Sequence, residues 1–216
     1  MPENGPWPSL LLVGPTGSGK TPLGAEIERR GLGGRRCVHF DFGASLRRIA
    51  AAPDGTAGLA ADELAAVRAS LATGALFEER DTAMILKIVR AFAKEGGLAP
   101  GSLLVLNGLP RHPAQAEALA GVVAVERVVY LQAEAVVIRA RLRLDPGGDR
   151  TGRADDSLEA VEKRLAVFRE RTLPLLDHYR RMGVPVTVLP VTAAMTAGEM
   201  YETLASKMRE EGGSRP

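Results

Sequence analysis

Residues 10–21 read LLLVGPTGSGKT. LLLV is short, wholly apolar and bounded by glycine, the pattern of a strand buried on both faces. Gly14 through Thr21 then fit G-x-x-x-x-G-K-[ST]. In that pattern Gly14, Pro15, Thr16, Gly17, Ser18 and Gly19 form the ATP-binding loop, whose glycines let backbone N–H groups turn inward around an anion. Lys20 reaches the outer phosphates, and the Thr21 hydroxyl can bind Mg²⁺. A helix is expected from Lys20 to about Arg30, its positive N-terminal end aimed at the same place. GLGG at 31–34 supplies its C-cap. A Gly-rich turn with a chance lysine and threonine would not need a buried strand before it and a helix after it. The ligand expected here is a nucleoside triphosphate.

Outward from this loop, four more strand patterns follow: RCVHF at 36–40, LLVLN at 103–107, RVVYLQ at 127–132 and VPVTVLP at 184–190. Helical segments separate them. Strands alternating with helices imply an α/β fold, a five-stranded parallel sheet covered on both faces, in one domain spanning 1–216. Residues 43–95 look helical throughout and are too long for one crossover, so they read as an inserted helical lobe. Met84, Ile85 and Ile88 would be its core. Residues 144–152, LDPGGDRTG, form a Gly- and Asp-rich exposed loop between two helices. Residues 1–8 read as a flexible lead-in and EEGGSRP as a frayed end.

Composition narrows the class. Of 216 residues 45% are hydrophobic and 25% charged, as in an ordinary globular protein, and a net charge of +2 does not suggest a nucleic-acid binder. Cys37 is the single cysteine, which excludes an internal disulfide and a cysteine zinc site. MPENGPWP lacks the charged and apolar regions of a signal peptide, and no apolar run approaches the roughly 20 residues of a membrane helix. The expectation is a cytoplasmic protein, acting as a monomer on small molecules.

The positions of the arginines carry more than their number. Arg111 and Gln115 follow the third strand, at the sheet edge where ligands bind in parallel α/β folds. Arg139 and Arg143 are an i,i+4 pair just before the 144–152 loop, and Arg153 and Arg164 beyond it are three helical turns apart on nearly one face. Arg141, Arg150, Arg180 and Arg181 read as solvated surface. His39, His112 and His178 have no metal-like spacing and read as structural.

Taken in order, these segments resemble the adenylate kinase family of nucleoside monophosphate kinases. GPTGSGKT, FGASLR at 42–47, TGALFEE at 73–79, GLPRHPAQA at 108–116, RARLR before the loop, GRADD and KRL after it, and RTLPLLDHYRRMG at 171–183 are similar to that family's stretches from about Leu10 to Leu189. The short cysteine-free lid is similar to the short-lid branch. The resemblance implies a P-loop NTPase fold with an NMP-binding lobe at 43–95, a lid at 144–152, and Mg²⁺-dependent transfer of the ATP γ-phosphoryl group to AMP. It implies that Lys20 and the loop hold the donor phosphates and that Arg139 packs on the donor adenine. Arg47 and Arg111 would hold the acceptor monophosphate, with Gln115 reading its base. Phe42, Gly43, Phe77 and Gly108 would line the acceptor site, while Arg143, Arg153 and Arg164 close with the lid.

Three positions depart from the family pattern. D-G-F-P-R becomes Asn107-Gly108-Leu109-Pro110-Arg111, so the acid that helps hold the Mg²⁺ water shell is neutral. T-G-D becomes Phe42-Gly43-Ala44, so Phe42 either stacks on a base or fills the pocket. A new carboxylate, Asp41, stands at the exit of the second strand, either as a helix N-cap or beside Mg²⁺ or the acceptor; with Asn107 it could serve the metal through water. HFDFG is also similar to the F-x-D-x-D stretch of shikimate kinase, although the G-G-G segment of that family is absent. Alternatives to AMP are therefore CMP, UMP or a small hydroxylated metabolite, or a nucleotide-binding module with little catalysis.

Overall fold

The computed structural model describes residues 5–52, 58–148 and 158–213. Five strands form one parallel sheet: β1 (Trp7–Val13), β2 (Cys37–Asp41), β3 (Leu103–Asn107), β4 (Val123–Gln132) and β5 (Val186–Pro190), in the order β2-β3-β1-β4-β5. The helices are α1 (Lys20–Arg30), α2 (Phe42–Ala51), α3 (Ala61–Thr73), α4 (Thr82–Glu95), α5 (Pro113–Leu119), α6 (Ala135–Leu144), α7 (Leu158–Val167), α8 (Leu175–Arg181) and α9 (Ala197–Gly213). A π-helical turn, Phe168–Thr172, joins α7 to α8.

Side chains alternate along β1, so its apolar run feeds two cores. Leu11 and Val13 join Phe40, Leu104, Leu106 and Val128 under α4, α5 and α8; Leu10 and Leu12 join Leu103, Val105, Val129 and Leu131 under α1 and α9. Each fully buried leucine or isoleucine here is worth about 1.5–3 kcal/mol relative to exposure. Met84, Ile85, Ile88 and Val89 of α4 belong to the first core together with the sheet. The same cluster takes in Leu46, Ile49, Val67 and Phe77 from the 43–95 segment, so the core of that segment is continuous with the core under the sheet.

Two strands are longer than the sequence pattern suggests. β1 begins at Trp7, whose N–H donates to the Val122 carbonyl, so Trp7 and Pro8 are strand rather than lead-in. β4 begins at Val123, and its pairing with β1 shifts between Ser9 and Leu10. That irregularity breaks the alternation across Ala124–Arg127 which would otherwise have marked a strand.

The helix after the phosphate loop is fastened to β2 at three levels. Thr21 Oγ1 donates to Asp41 Oδ2 at 2.6 Å, Gly24 faces the His39 imidazole, and Glu28 Oε1 accepts from the His39 N–H at 3.0 Å. Burial holds His39 below its usual pKa, so the ring packs as a neutral imidazole. A Cβ at Gly24 would overlap that ring. Gly24→Ala should therefore destabilise the fold by about 1–3 kcal/mol through overpacking, read as a lower midpoint in urea. The Gly24→Ala/His39→Ala pair should lose less than the two singles summed, because His39→Ala removes the ring that the new methyl group would strike.

Candidate active site

The phosphate loop connects β1 to α1. Gly17 and Gly19 have φ of +76° and +98°, which side-chain-bearing residues rarely adopt. No side chain caps α1, leaving its first N–H groups directed at the loop. Lys20 Nζ donates to the carbonyl oxygens of Gly14 at 2.7 Å and Pro15 at 2.8 Å, folded along its own loop.

The loop is braced from behind by a residue that the sequence reading placed on the surface. Arg141 is 2% exposed. Its guanidinium donates to the carbonyl oxygens of Thr192 at 2.7 Å, Met195 at 2.8 Å and Gly17 at 3.2 Å. A Cβ at Gly19 would lie 2.9 Å from Arg141 Nη2 and 2.8 Å from Met200 Cε, so the loop has room only for glycine there. Arg139 is half-buried and Arg143 exposed, and neither lines the cavity that the loop opens into. Arg150 and Arg153, with residues 149–152 of the lid, lie outside the described residues.

That cavity has a volume of about 290 Å³. Lys20 and Thr21 stand at one side, and Arg47, Arg111 and Arg164 also line it. Arg47 projects from α2 and is exposed. The Arg111 guanidinium has no hydrogen-bond or ion-pair partner among the described residues. Burial, with Arg164 close by, pushes its pKa down to about 10. A desolvated cation facing a second cation is held in a place suited to an anion.

Phe42 and Phe77 form an aromatic wall, their rings edge-to-face at 5.8 Å and 70°. Gly43 and Gly108 border the same space, Gly108 with φ of +81°. Gln115 is 4% exposed and both ends of its amide are engaged: Oε1 accepts from the Arg111 N–H at 2.8 Å, and Nε2 donates to the Phe77 carbonyl at 2.7 Å. His112 Nδ1 accepts from the Gln115 N–H as the N-cap of α5, which leaves the ring proton on Nε2, facing the Phe77 carbonyl at 3.1 Å. Phe168 and Thr172 of the π turn also line the cavity. No periodicity in the sequence announces such a turn.

Three side chains meet at the strand ends beside the phosphate loop. The register pairs Asp41 with Asn107 across β2 and β3. Thr21 Oγ1 donates to Asp41 Oδ2, and Asn107 Nδ2 donates to Asp41 Oδ2 at 2.8 Å and to Thr21 Oγ1 at 3.0 Å. Asp41 Oδ1 accepts from the Ala44 N–H at 2.8 Å, capping α2. The N-cap reading of Asp41 is thus met by Oδ1, while Oδ2 faces the phosphate-loop threonine and the Asn107 amide. The set is hard oxygen donors at the phosphate loop, which fits Mg²⁺ bound by Thr21 and, through water, by Asp41. No cluster of three or more His, Cys, Asp or Glu side chains able to hold a metal occurs among the described residues.

This geometry also gives the neutral Asn107 a reason. An aspartate there would set a second carboxylate against Asp41 where a donor now stands. Asn107→Asp should cost about 1–3 kcal/mol of stability at pH 7, measured by urea unfolding. Asn107→Asp/Asp41→Asn, which exchanges the partners, should recover most of that loss.

Over residues 13–162 the chain matches the family model described as an AAA domain. An adenylate kinase of Synechococcus sp. (strain WH7803) is 32% identical over 185 residues, 83% of this chain and 88% of that one. The adenylate kinase of Parasynechococcus marenigrum (strain WH8102) is 34% identical over 184 residues, again 83% and 88%. A solved gluconokinase from Sinorhizobium meliloti 1021 superposes with a TM-score of 0.52 at 16% identity, over 94% of this chain and 97% of that one. At that identity the likeness is one of fold.

Proposed function

Because the chain belongs to the adenylate kinase family, and is a P-loop phosphotransferase by that kinship, we propose that it moves the γ-phosphoryl group of ATP onto a nucleoside monophosphate, with AMP first among the acceptors. The observation that carries this reading is Arg111. A half-buried guanidinium beside Arg164, with no acidic partner among the described residues, shares one cavity with the phosphate loop. Two anion sites in one cavity suit a donor and an acceptor that both carry phosphate. An unphosphorylated hydroxyl compound would leave Arg111 unpaired, which weighs against a sugar-like acceptor. CMP or UMP is the second reading. Gln115 spends its amide on Arg111 and Phe77, and the Phe42–Phe77 wall can stack on any base.

Phosphoryl transfer passes through a loose, charge-spread transition state, so catalysis is mostly positioning and electrostatic clamping. Lys20 exchanges the Gly14 and Pro15 carbonyls for donor phosphate oxygens. Arg111 and Arg47 hold the acceptor phosphate, and Arg164 sits where it can meet the transferring group. Mg²⁺, held by Thr21 and through water by Asp41 and Asn107, would neutralise charge on the donor phosphates. We assign Arg143 and Arg153 to closure of the 144–152 lid, which keeps water from the reacting phosphoryl group. Arg141 has no substrate role in this scheme: it fixes the loop. No helix among the described residues is long and apolar enough to cross a membrane, and we take the enzyme to act as a cytoplasmic monomer.

The test is ADP formation from Mg·ATP and AMP in a coupled assay. Lys20→Ala and Arg111→Ala should each lower kcat/KM by about 10³-fold or more, roughly 4 kcal/mol of transition-state stabilisation. Neither should unfold the protein; Arg111→Ala removes a half-buried charge that has no partner among the described residues. A fully active Arg111→Ala protein would overturn the acceptor assignment.

A further inference from the structure

We propose that Asp41 is a positioning residue that couples the phosphate loop to the acceptor helix, so that filling the donor site orders the first turn of α2. From the proposed function this takes only Mg·nucleotide in the loop; it does not depend on which acceptor binds.

A threonine hydroxyl has one hydrogen and two lone pairs. The Thr21 hydrogen is committed to Asp41 Oδ2 at 2.6 Å, and one lone pair accepts from Asn107 Nδ2 at 3.0 Å. One lone pair remains for a ligand in the loop. Thr21 is thus held with its proton turned toward β2 before any ligand arrives. A cation on that oxygen withdraws electron density and makes the hydroxyl a stronger donor, which tightens its charge-assisted bond to the carboxylate.

The same carboxylate is the N-cap of α2. Its Oδ1 accepts from the Ala44 N–H at 2.8 Å, and α2 carries Phe42, Gly43 and Arg47 along the cavity wall. The two oxygens of one rigid, planar group cannot reorient independently. Tightening at Oδ2 therefore restrains Oδ1 and the helix turn it caps. An ordinary structural N-cap would need only Oδ1. The second oxygen reaches a phosphate-loop hydroxyl and an amide on the neighbouring strand, and it is this reach across α1, β2 and β3 that makes the carboxylate a link.

The experiment follows amide hydrogen exchange by NMR at Ala44 and in the loop, in the full chain, with saturating AMP-PNP and either Mg²⁺ or EDTA. In the wild type, Mg·AMP-PNP should slow exchange at Ala44 at least about 5-fold more than AMP-PNP with EDTA, the lower end of ordinary site-to-site coupling. Asp41→Ser can still cap α2 but is too short to reach Thr21, and should lose that increment. Asp41→Asn, with one acceptor oxygen for three donors, should lose it as well. If the Mg²⁺-dependent increment is absent in the wild type, or survives intact in Asp41→Ser, the coupling is overturned. The wild-type comparison stands even if a variant folds poorly. Loop amides that do not respond to the nucleotide would sink the proposed function and this inference with it. A responding loop without the Ala44 increment sinks the inference alone. A lack of AMP turnover touches neither measurement.

Discussion

One carboxylate holds the working end of this molecule together. Asp41 accepts hydrogen bonds from the Thr21 hydroxyl, the Asn107 amide and the Ala44 backbone N–H. Those donors come from the helix after the phosphate loop, the neighbouring strand and the helix that follows Asp41 itself. The convergence comes from topology. In a parallel sheet all strands deliver their carboxyl ends to the same edge, and the β2-β3-β1 order places Asp41, Asn107 and the start of the loop side by side there. Hydrogen bonds to a charged acceptor are each worth about 1.5–3 kcal/mol, and leaving any of these partners buried and unsatisfied would cost a comparable amount. The site is therefore sensitive to which residue carries the charge. With the acid on β2, the residue on β3 has to be a donor, and asparagine is one.

The cavity beside this node is divided by chemistry. Its phosphate-loop side is backbone N–H groups, Lys20 and a hydroxyl, braced by a buried arginine that donates to the carbonyl oxygens of Gly17, Thr192 and Met195. The side proposed for the acceptor sets a desolvated Arg111, with Arg164 beside it, against an aromatic wall of Phe42 and Phe77. Holding Arg111 out of water costs stability in the free protein. That cost is recovered when an anion binds, which is how a binding site stores preference for a charged ligand. Gln115 and His112 both fasten onto the Phe77 carbonyl and so join the aromatic wall to the Arg111 turn. The proposed acceptor pocket is thus shaped by internal hydrogen bonds.

Much of the fold was legible because the relevant signals are local. A both-faces-buried strand, a Gly-rich turn and a Lys-Thr helix start leave few alternatives, and the remaining strands repeat the apolar run in shorter form. What escaped had tertiary causes. The start of β4 hides behind Glu126 and Arg127, which a shifted register accommodates at the strand edge. Arg141 looked like one more charge among several. Yet residues 139 and 143 share a helix face, and position 141 points nearly opposite, toward the side of Ile138 and Leu142; both of these pack on Gly17. An arginine on the apolar face of a helix is a sign of buried carbonyl partners, and that periodicity was available in the sequence. The double engagement of Asp41 was not, because only the strand register brings Thr21 and Asn107 to it. Nor was the π turn, whose Phe168 and Thr172 complete the cavity.

Whether the acceptor carries a phosphate is decided by kcat/KM for ADP formation with Mg·ATP across AMP, CMP, UMP and GMP, alongside gluconate and shikimate. If it does, one or more of the monophosphates should turn over at least about 10²-fold faster than either unphosphorylated compound. Turnover confined to gluconate or shikimate would contradict a phosphate-bearing acceptor, and would mean that Arg111 serves some group other than an acceptor phosphate.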